Sequence, residues 1–135
     1  MTRESALETW HRLVKTADAA GLPALLADDV VFHSPVVHTP QRGRELAMWY
    51  LTAAFHVFFA NGFRYVREVV QGRHAVLEFE VEIDGVFVNG VDMITWNEAG
   101  QIVDFKVMLR PLKAIQLIQH KMAQRLEAAR HEGPP

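Results

Sequence analysis

Apolar residues recur at helical spacing from about Ser5 to Ala20, through Ala6, Leu7, Trp10, Leu13, Val14 and Ala17, and Gly21-Leu22-Pro23 ends the run. This predicts a first helix with Trp10 on its buried face. Leu22 to Ala27 predicts a short second helix with Pro23 in its first turn, and Asp28-Asp29 lead into a strand, Val30 to Pro35, that proline stops. His33 and Ser34 are consecutive there, so alternation sends them to opposite faces. After the constrained segment Val36 to Gly43, a third helix is expected from Arg44 to about Phe59, carrying Leu46, Trp49, Tyr50, Ala53, Ala54 and Val57.

Beyond Asn61-Gly62 the period changes from helical to two. Phe63 to Val70, Ala75 to Ile83, Val86 to Trp96 and Ile102 to Leu109 read as strands, with Asp84-Gly85 a strong hairpin signal between the second and third. The second run alternates, with Leu77, Phe79, Val81 and Ile83 on one face and Glu78, Glu80 and Glu82 on the other. The third does not. Val88, Ile94 and Trp96 share one register with Asp92, yet Phe87, Val91 and Met93 on the opposite face are apolar too. An apolar outer face asks for a cover, and a homodimer through the sheet is the simplest one. Pro111 opens a last helix through Leu112, Ile115, Ile118, Met122 and Leu126, and His131 to Pro135 read as a frayed tail. This order is an α+β pattern: one domain, residues 1–131, and a flexible tail, 132–135, with a curved antiparallel sheet wrapped around helices and a pocket on its concave side.

Composition narrows the chemistry. At 135 residues the chain suits one domain with a real core. Half the residues are hydrophobic, 22% are charged and the formal net charge is -2, so nucleic acid is not an expected partner. The absence of cysteine excludes disulfides, thiolate catalysis and cysteine-ligated metals. The start, Met1 to Ser5, enters an amphipathic stretch without a continuous apolar run, so neither a signal peptide nor a membrane span is expected, and the cytoplasm is the expected location.

Two stretches, Leu25-Leu26-Ala27-Asp28-Asp29-Val30-Val31-Phe32-His33-Ser34-Pro35 and Val91 to Val103, resemble the SnoaL-like and ketosteroid-isomerase-like branch of the nuclear transport factor 2-like superfamily. The acidic pair before the strand, Gly43 before the third helix and the Asp-Gly and Ala-Gly turns fall in the order that branch shows. The resemblance covers nearly the whole chain and implies a cone-shaped fold. It says less about the reaction, because the fold hosts isomerases, cyclases, dehydratases, epoxide hydrolases and binding modules. Ketosteroid isomerases use a carboxylate base on the first strand, a first-helix tyrosine and a protonated late-strand aspartic acid. Here the late-strand acid falls on Asp92, the base position on Ser34 and the tyrosine position on Trp10. The chain therefore departs from the steroid-isomerase mechanism at two of three positions.

Asp92 stands in an apolar run on the inward register, where burial disfavours the carboxylate and raises its pKa. It is the first candidate catalytic residue. His33, next to the base position, is the second, provided a bulge turns it inward; otherwise Ser34 faces the pocket and orients a ligand. His38 and His56 are weaker candidates. Trp10, Tyr50, Val88, Ile94, Trp96 and Val107 are expected to wall the pocket. His33-x4-His38 lacks a supporting ligand motif, so neither a metal nor another cofactor is expected. Arg64, Arg67, the three glutamates, Lys106 and Arg110 fit cross-strand charge pairs on a solvated face.

The sequence thus supports an enzyme performing acid/base chemistry of isomerase, cyclase or dehydratase type on a hydrophobic small molecule. The alternative is a non-catalytic module that binds such a molecule. A protein-interaction platform on Phe87, Val91 and Met93 ranks third.

Overall fold

The computed structural model describes residues 5–59 and 62–132. Helix α1 (Ala6–Thr16) starts at a capping box: the Ser5 hydroxyl accepts from the Glu8 N–H at 3.1 Å, and the Glu8 carboxylate accepts from the Ser5 N–H at 3.3 Å. It stops earlier than its apolar spacing predicts. Ala17 turns left-handed at φ 51°, and the chain folds back so closely that a Cβ on Gly21 would lie 2.4 Å from Leu13 Cδ2. A side chain at that position would force Leu13 to shift.

The short helix α2 (Leu22–Leu25) gives way at once to strand β1 (Leu26–His33), which therefore begins inside the segment predicted to be helical. A two-residue strand β2 (Gln41–Arg42), not foreseen, pairs back onto β1. Helix α3 (Arg44–Phe58) follows, then β3 (Arg64–Gln71), β4 (His74–Ile83), β5 (Val86–Trp96), β6 (Ile102–Arg110) and helix α4 (Leu112–Glu132). The helix continues through His131 and Glu132, which read as tail in the sequence; residues 133–135 of that tail lie outside the described residues, as do residues 60–61 between α3 and β3.

The six strands form one sheet in the order β2-β1-β6-β5-β4-β3. Strands β3 to β6 are the expected antiparallel meander, and Asp84 and Gly85 turn it with φ values of 51° and 78°, as a tight hairpin requires. The sheet as a whole is mixed, because β6 returns beside β1 in parallel. It is curved and unclosed, and its concave face carries the core. α1 and α3 cover one half, where Trp10, Leu13, Phe32, Phe55, Ile94 and Phe105 pack. α3 and α4 cover the other, where Phe58, Phe79, Val88, Ala114 and Ile118 meet. Among the described residues no helix is long and apolar enough to cross a membrane.

Gly90 in the central strand β5 shapes the concave face. A Cβ there would stand 2.4 Å from Phe79 Cζ and 2.8 Å from the Met108 carbonyl oxygen, so the missing side chain lets the Phe79 ring lie across β5. The ring can shift but the carbonyl belongs to a paired strand. Gly90→Ala should therefore cost roughly 1–3 kcal/mol through overpacking, read as a lower urea midpoint with an unchanged denaturant slope; an unchanged midpoint would mean that Phe79 relaxes freely.

Candidate functional site

In strand β5 Val88, Gly90, Asp92 and Ile94 point into the cone, while Phe87, Val91 and Met93 point out beside Asn89, which is buried by its bonds to Glu78 and the Phe79 carbonyl. Asp92 is thereby carried into the interior at 5% exposure, opposite Leu77 of β4 and Val107 of β6. It borders a cavity lined otherwise by carbon and by one indole: Trp10, Phe32, Leu51, Ala54, Phe55, Phe58, Phe59, Phe63, Phe79, Phe105 and Val107. The cavity measures about 30 Å³, room for roughly two water molecules.

A chain of hydrogen bonds holds the acid. The Tyr65 hydroxyl, from β3, donates to Asp92 Oδ2 at 2.5 Å, and Trp10 Nε1–H, from α1, donates to the same hydroxyl oxygen at 2.9 Å. Among the described residues the second carboxylate oxygen has no hydrogen-bond partner. Burial raises the Asp92 pKa from 3.8 to about 7, against the opposing effect of the Tyr65 hydrogen bond. Burial, and then the neighbouring Asp92 charge, push the Tyr65 phenol well above its usual 10, so it remains a donor. His11 stands edge-on to the Tyr65 ring at 5.4 Å and is itself paired with Glu68 at 2.6 Å, closing the outer side of the site.

Of the residues expected here, Asp92, Trp10 and Val107 border the cavity. His33 does not. Alternation holds without a bulge at that point, and the imidazole lies on the outer face with Nε2 2.9 Å from Asp104 Oδ1. Ser34 follows the end of β1 and spends its hydroxyl on the Val36 N–H at 3.2 Å, in a surface groove shared with His33 and His38. Tyr50 packs beside Phe32, Val88 and Ile94 are buried in the two core clusters, and Trp96 lies at the far end of the sheet beside Asn97 and Gly100. His56 lines a separate depression with Lys121. Among the described residues no three His, Cys, Asp or Glu side chains converge as a metal site needs. Arg64 and Arg67 pair with Glu80 and Glu78 on the outer face.

Tyr65 is the residue that sequence reasoning missed. In β3 nearly every side chain is exposed, so no apolar stripe marks an inward face. A register shift between Tyr65 and Arg67 then breaks the alternation just beyond it.

The structure is thus a half-open cone with one buried acid bordering an aromatic cavity. The SnoaL-like domain model matches residues 7–105, and the chain belongs to that family. A steroid delta-isomerase from Pseudomonas aeruginosa is 38% identical, with 91% of this chain and 90% of that one covered and a TM-score of 0.87. An uncharacterised bacterial protein with a cystatin-like fold from Silicibacter pomeroyi DSS-3 is 33% identical, covering 90% and 85% of the two chains with a TM-score of 0.83. A protein provisionally described as a SnoaL-like polyketide cyclase, from Jannaschia sp. CCS1, shares the fold at 16% identity, with 86% and 93% covered and a TM-score of 0.66. No curated protein matches the chain.

The proton affinity of Asp92 has a consequence for folding. The native state keeps a proton that the unfolded chain releases near pH 4, so this group disfavours folding increasingly as pH rises from about 4 to 7 and by a constant amount above that. A rise from 3.8 to about 7 corresponds to roughly 4 kcal/mol. Urea unfolding across pH 4 to 8 should show this decline in the native protein and a flatter profile in Asp92→Asn. Tyr65→Phe removes the bond that lowers the pKa, so its decline should extend to higher pH. Parallel profiles in all three proteins would refute the assignment.

Proposed function

We propose that this chain is an enzyme that moves a proton on a hydrophobic organic molecule, in chemistry of isomerase, cyclase or dehydratase type, with Asp92 as the acid and base. One observation carries the reading: a carboxyl group that borders an aromatic cavity, with one oxygen tied to Tyr65 and a pKa raised to about 7. Near neutral pH such a group is populated in both forms, so the carboxylate can take a proton from a carbon beside a carbonyl and the acid can return it elsewhere on the same molecule. Neither His33 nor Ser34 borders the cavity, so a single group acts in both directions. The similarity to the Pseudomonas isomerase supports the reaction class.

The alternative, a binding module, predicts a different response to one substitution. Asp92→Asn should lower turnover of a small β,γ-unsaturated ketone by roughly 10²–10⁴-fold while leaving KM within a few-fold. It should also abolish a pH dependence of 2-naphthol binding centred near the Asp92 pKa of about 7. Changed affinity with no turnover in the native protein would favour the binding module.

The outer sheet face supports a homodimer as the assembly. Phe87, Met93 and Met108 are exposed there beside the half-buried Val91. Glu78, Glu80 and Glu82 flank this patch on β4, and Lys106 and Arg110 flank it on β6. A two-fold axis running along β5 would set the acidic strand of one copy against the basic strand of the other. Met108→Asp should convert a dimer to a monomer in sedimentation velocity; a native monomer at micromolar concentration would refute the proposal.

A further inference from the structure

The cavity beside Asp92 measures about 30 Å³, far below the roughly 300–1,000 Å³ of a pocket that encloses a small molecule. It takes only the end of a ligand, and the remainder must lie outside it. Val107 shows where. Alone among the residues that line the cavity, it also lines a surface groove of about 590 Å³, together with His33, Ser34, Val36, His38 and Leu109. Val107 is also the residue directly opposite Asp92 across β5 and β6, and side chains paired in this way stand roughly 5 Å apart at Cβ. A chain that passes Val107 from the groove arrives beside the carboxyl group.

The groove exists because β1 ends before its neighbour does. Their last pair is His33 with Lys106, Pro35 stops the strand, and β6 continues to Arg110. From Val107 onward, β6 has no strand beside it on that edge, and residues 34–38 line the groove there without pairing. Both faces of β6 are reachable at this break: Lys106 and Met108 from outside the cone, Val107 and Leu109 from inside.

The polar groups of the groove favour one sign of charge. Its lining holds Lys106, two histidines and Ser34, but no carboxylate. Asp104, which approaches His33, is spent on that pair at 2.9 Å. The side chains of Lys106 and His38 have no partner among the described residues. Ser34 Oγ accepts from the Val36 N–H at 3.2 Å and keeps its own proton to donate. One unpaired ammonium beside a hydroxyl matches a monoanion. We infer that the groove is an outer subsite for a carboxylate at the far end of the substrate, held by Lys106 and Ser34, with the apolar body running along Val36 and Leu109 to Val107. The inference rests on the assignment of Asp92 proposed above, and adds to it the substrate class and the passage by which the reacting end reaches the acid. Lys106 and Met108 also border the apolar outer face, so in the proposed dimer the groove lies along the rim of the contact.

Calorimetric titration with octanoate and with 1-octanol, which share a chain and differ in the head group, tests the subsite. The native protein should bind octanoate at least about tenfold more tightly than 1-octanol, and Lys106→Gln should erase that preference. Asp92→Asn should keep it, because the groove does not draw on the acid. Val107→Trp, which closes the passage, should weaken octanoate at least about tenfold, and Val107→Ala, which widens it, should strengthen octanoate; if the tryptophan variant does not fold, the alanine variant decides. Equal affinity for the two ligands, absence of binding, or a preference that survives Lys106→Gln would overturn the subsite. Octanoate affinity unchanged by the Val107 variants would overturn the passage. The reading of Asp92 is judged separately, by turnover of the neutral ketone in Asp92→Asn, so either can fail while the other stands.

Discussion

A carboxyl group enclosed by aromatic rings must keep its proton or find donors, and the bond from Tyr65 to Asp92 at 2.5 Å lets this one do either. The same hydroxyl settles a second debt of burial. The Trp10 indole N–H, fixed in the core by α1, needs an acceptor, and the oxygen of Tyr65 supplies it. Three polar groups from the first helix, the edge strand and a central strand thus satisfy one another, and removal of any one leaves a neighbour unpaired in hydrocarbon. The wall of the cone is held together at its most apolar point by its few polar atoms. Trp49 Nε1, by contrast, is buried without a hydrogen-bond partner, so the core does not satisfy every indole.

The scaffold makes this arrangement through backbone more than through chemistry. Strand pairing fixes Asp92 between Leu77 and Val107, and the parallel return of β6 beside β1 lays Phe105 against Phe32 over the same floor. Gly90, two residues before Asp92, leaves the space into which Phe79 reaches, and Phe79 in turn abuts the ring of Tyr65. A feature without a side chain thereby helps determine where a hydroxyl ends up.

Much of the fold was legible in the sequence because its signals were local. The Asp84-Gly85 turn and the alternation of β4 specify the meander, and the flanking Val88 and Ile94 specify that Asp92 points inward. That His33 faces away from Ser34 was also implicit in simple alternation, and only the proximity to the family's base position argued for turning it inward; its partner Asp104, 71 residues on, was not foreseen. What stayed hidden depends on distance. Tyr65 lies 27 residues before Asp92 on a strand without amphipathic pattern, and Trp10 lies a further 55 before Tyr65. No spacing rule relates them; only the curvature that folds β3 over α1 brings the three together. The wall residues failed for a related reason: Val88, Ile94 and Trp96 do share the inward face of β5 with Asp92, but helices cover most of that face and leave a void only at its centre.

The material around that void matters as much as its size. Phe59 meets Phe55 and Phe63 at 4.6 Å between ring centres, and Phe63 meets Phe79 at 4.9 Å and Tyr65 at 5.0 Å, most of them edge to face. Such contacts are individually shallow, and flat rings exchange one edge-to-face geometry for another by side-chain rotation alone. Aliphatic side chains, branched and interlocked, would have to separate before they could yield the same space. Rings therefore close over Asp92 while the paired strands β4, β5 and β6 aim it. The paired strands position the acid, the rings enclose it, and Tyr65 belongs to both, since its hydroxyl is bonded to Asp92 and its ring is packed against Phe63 and Phe79.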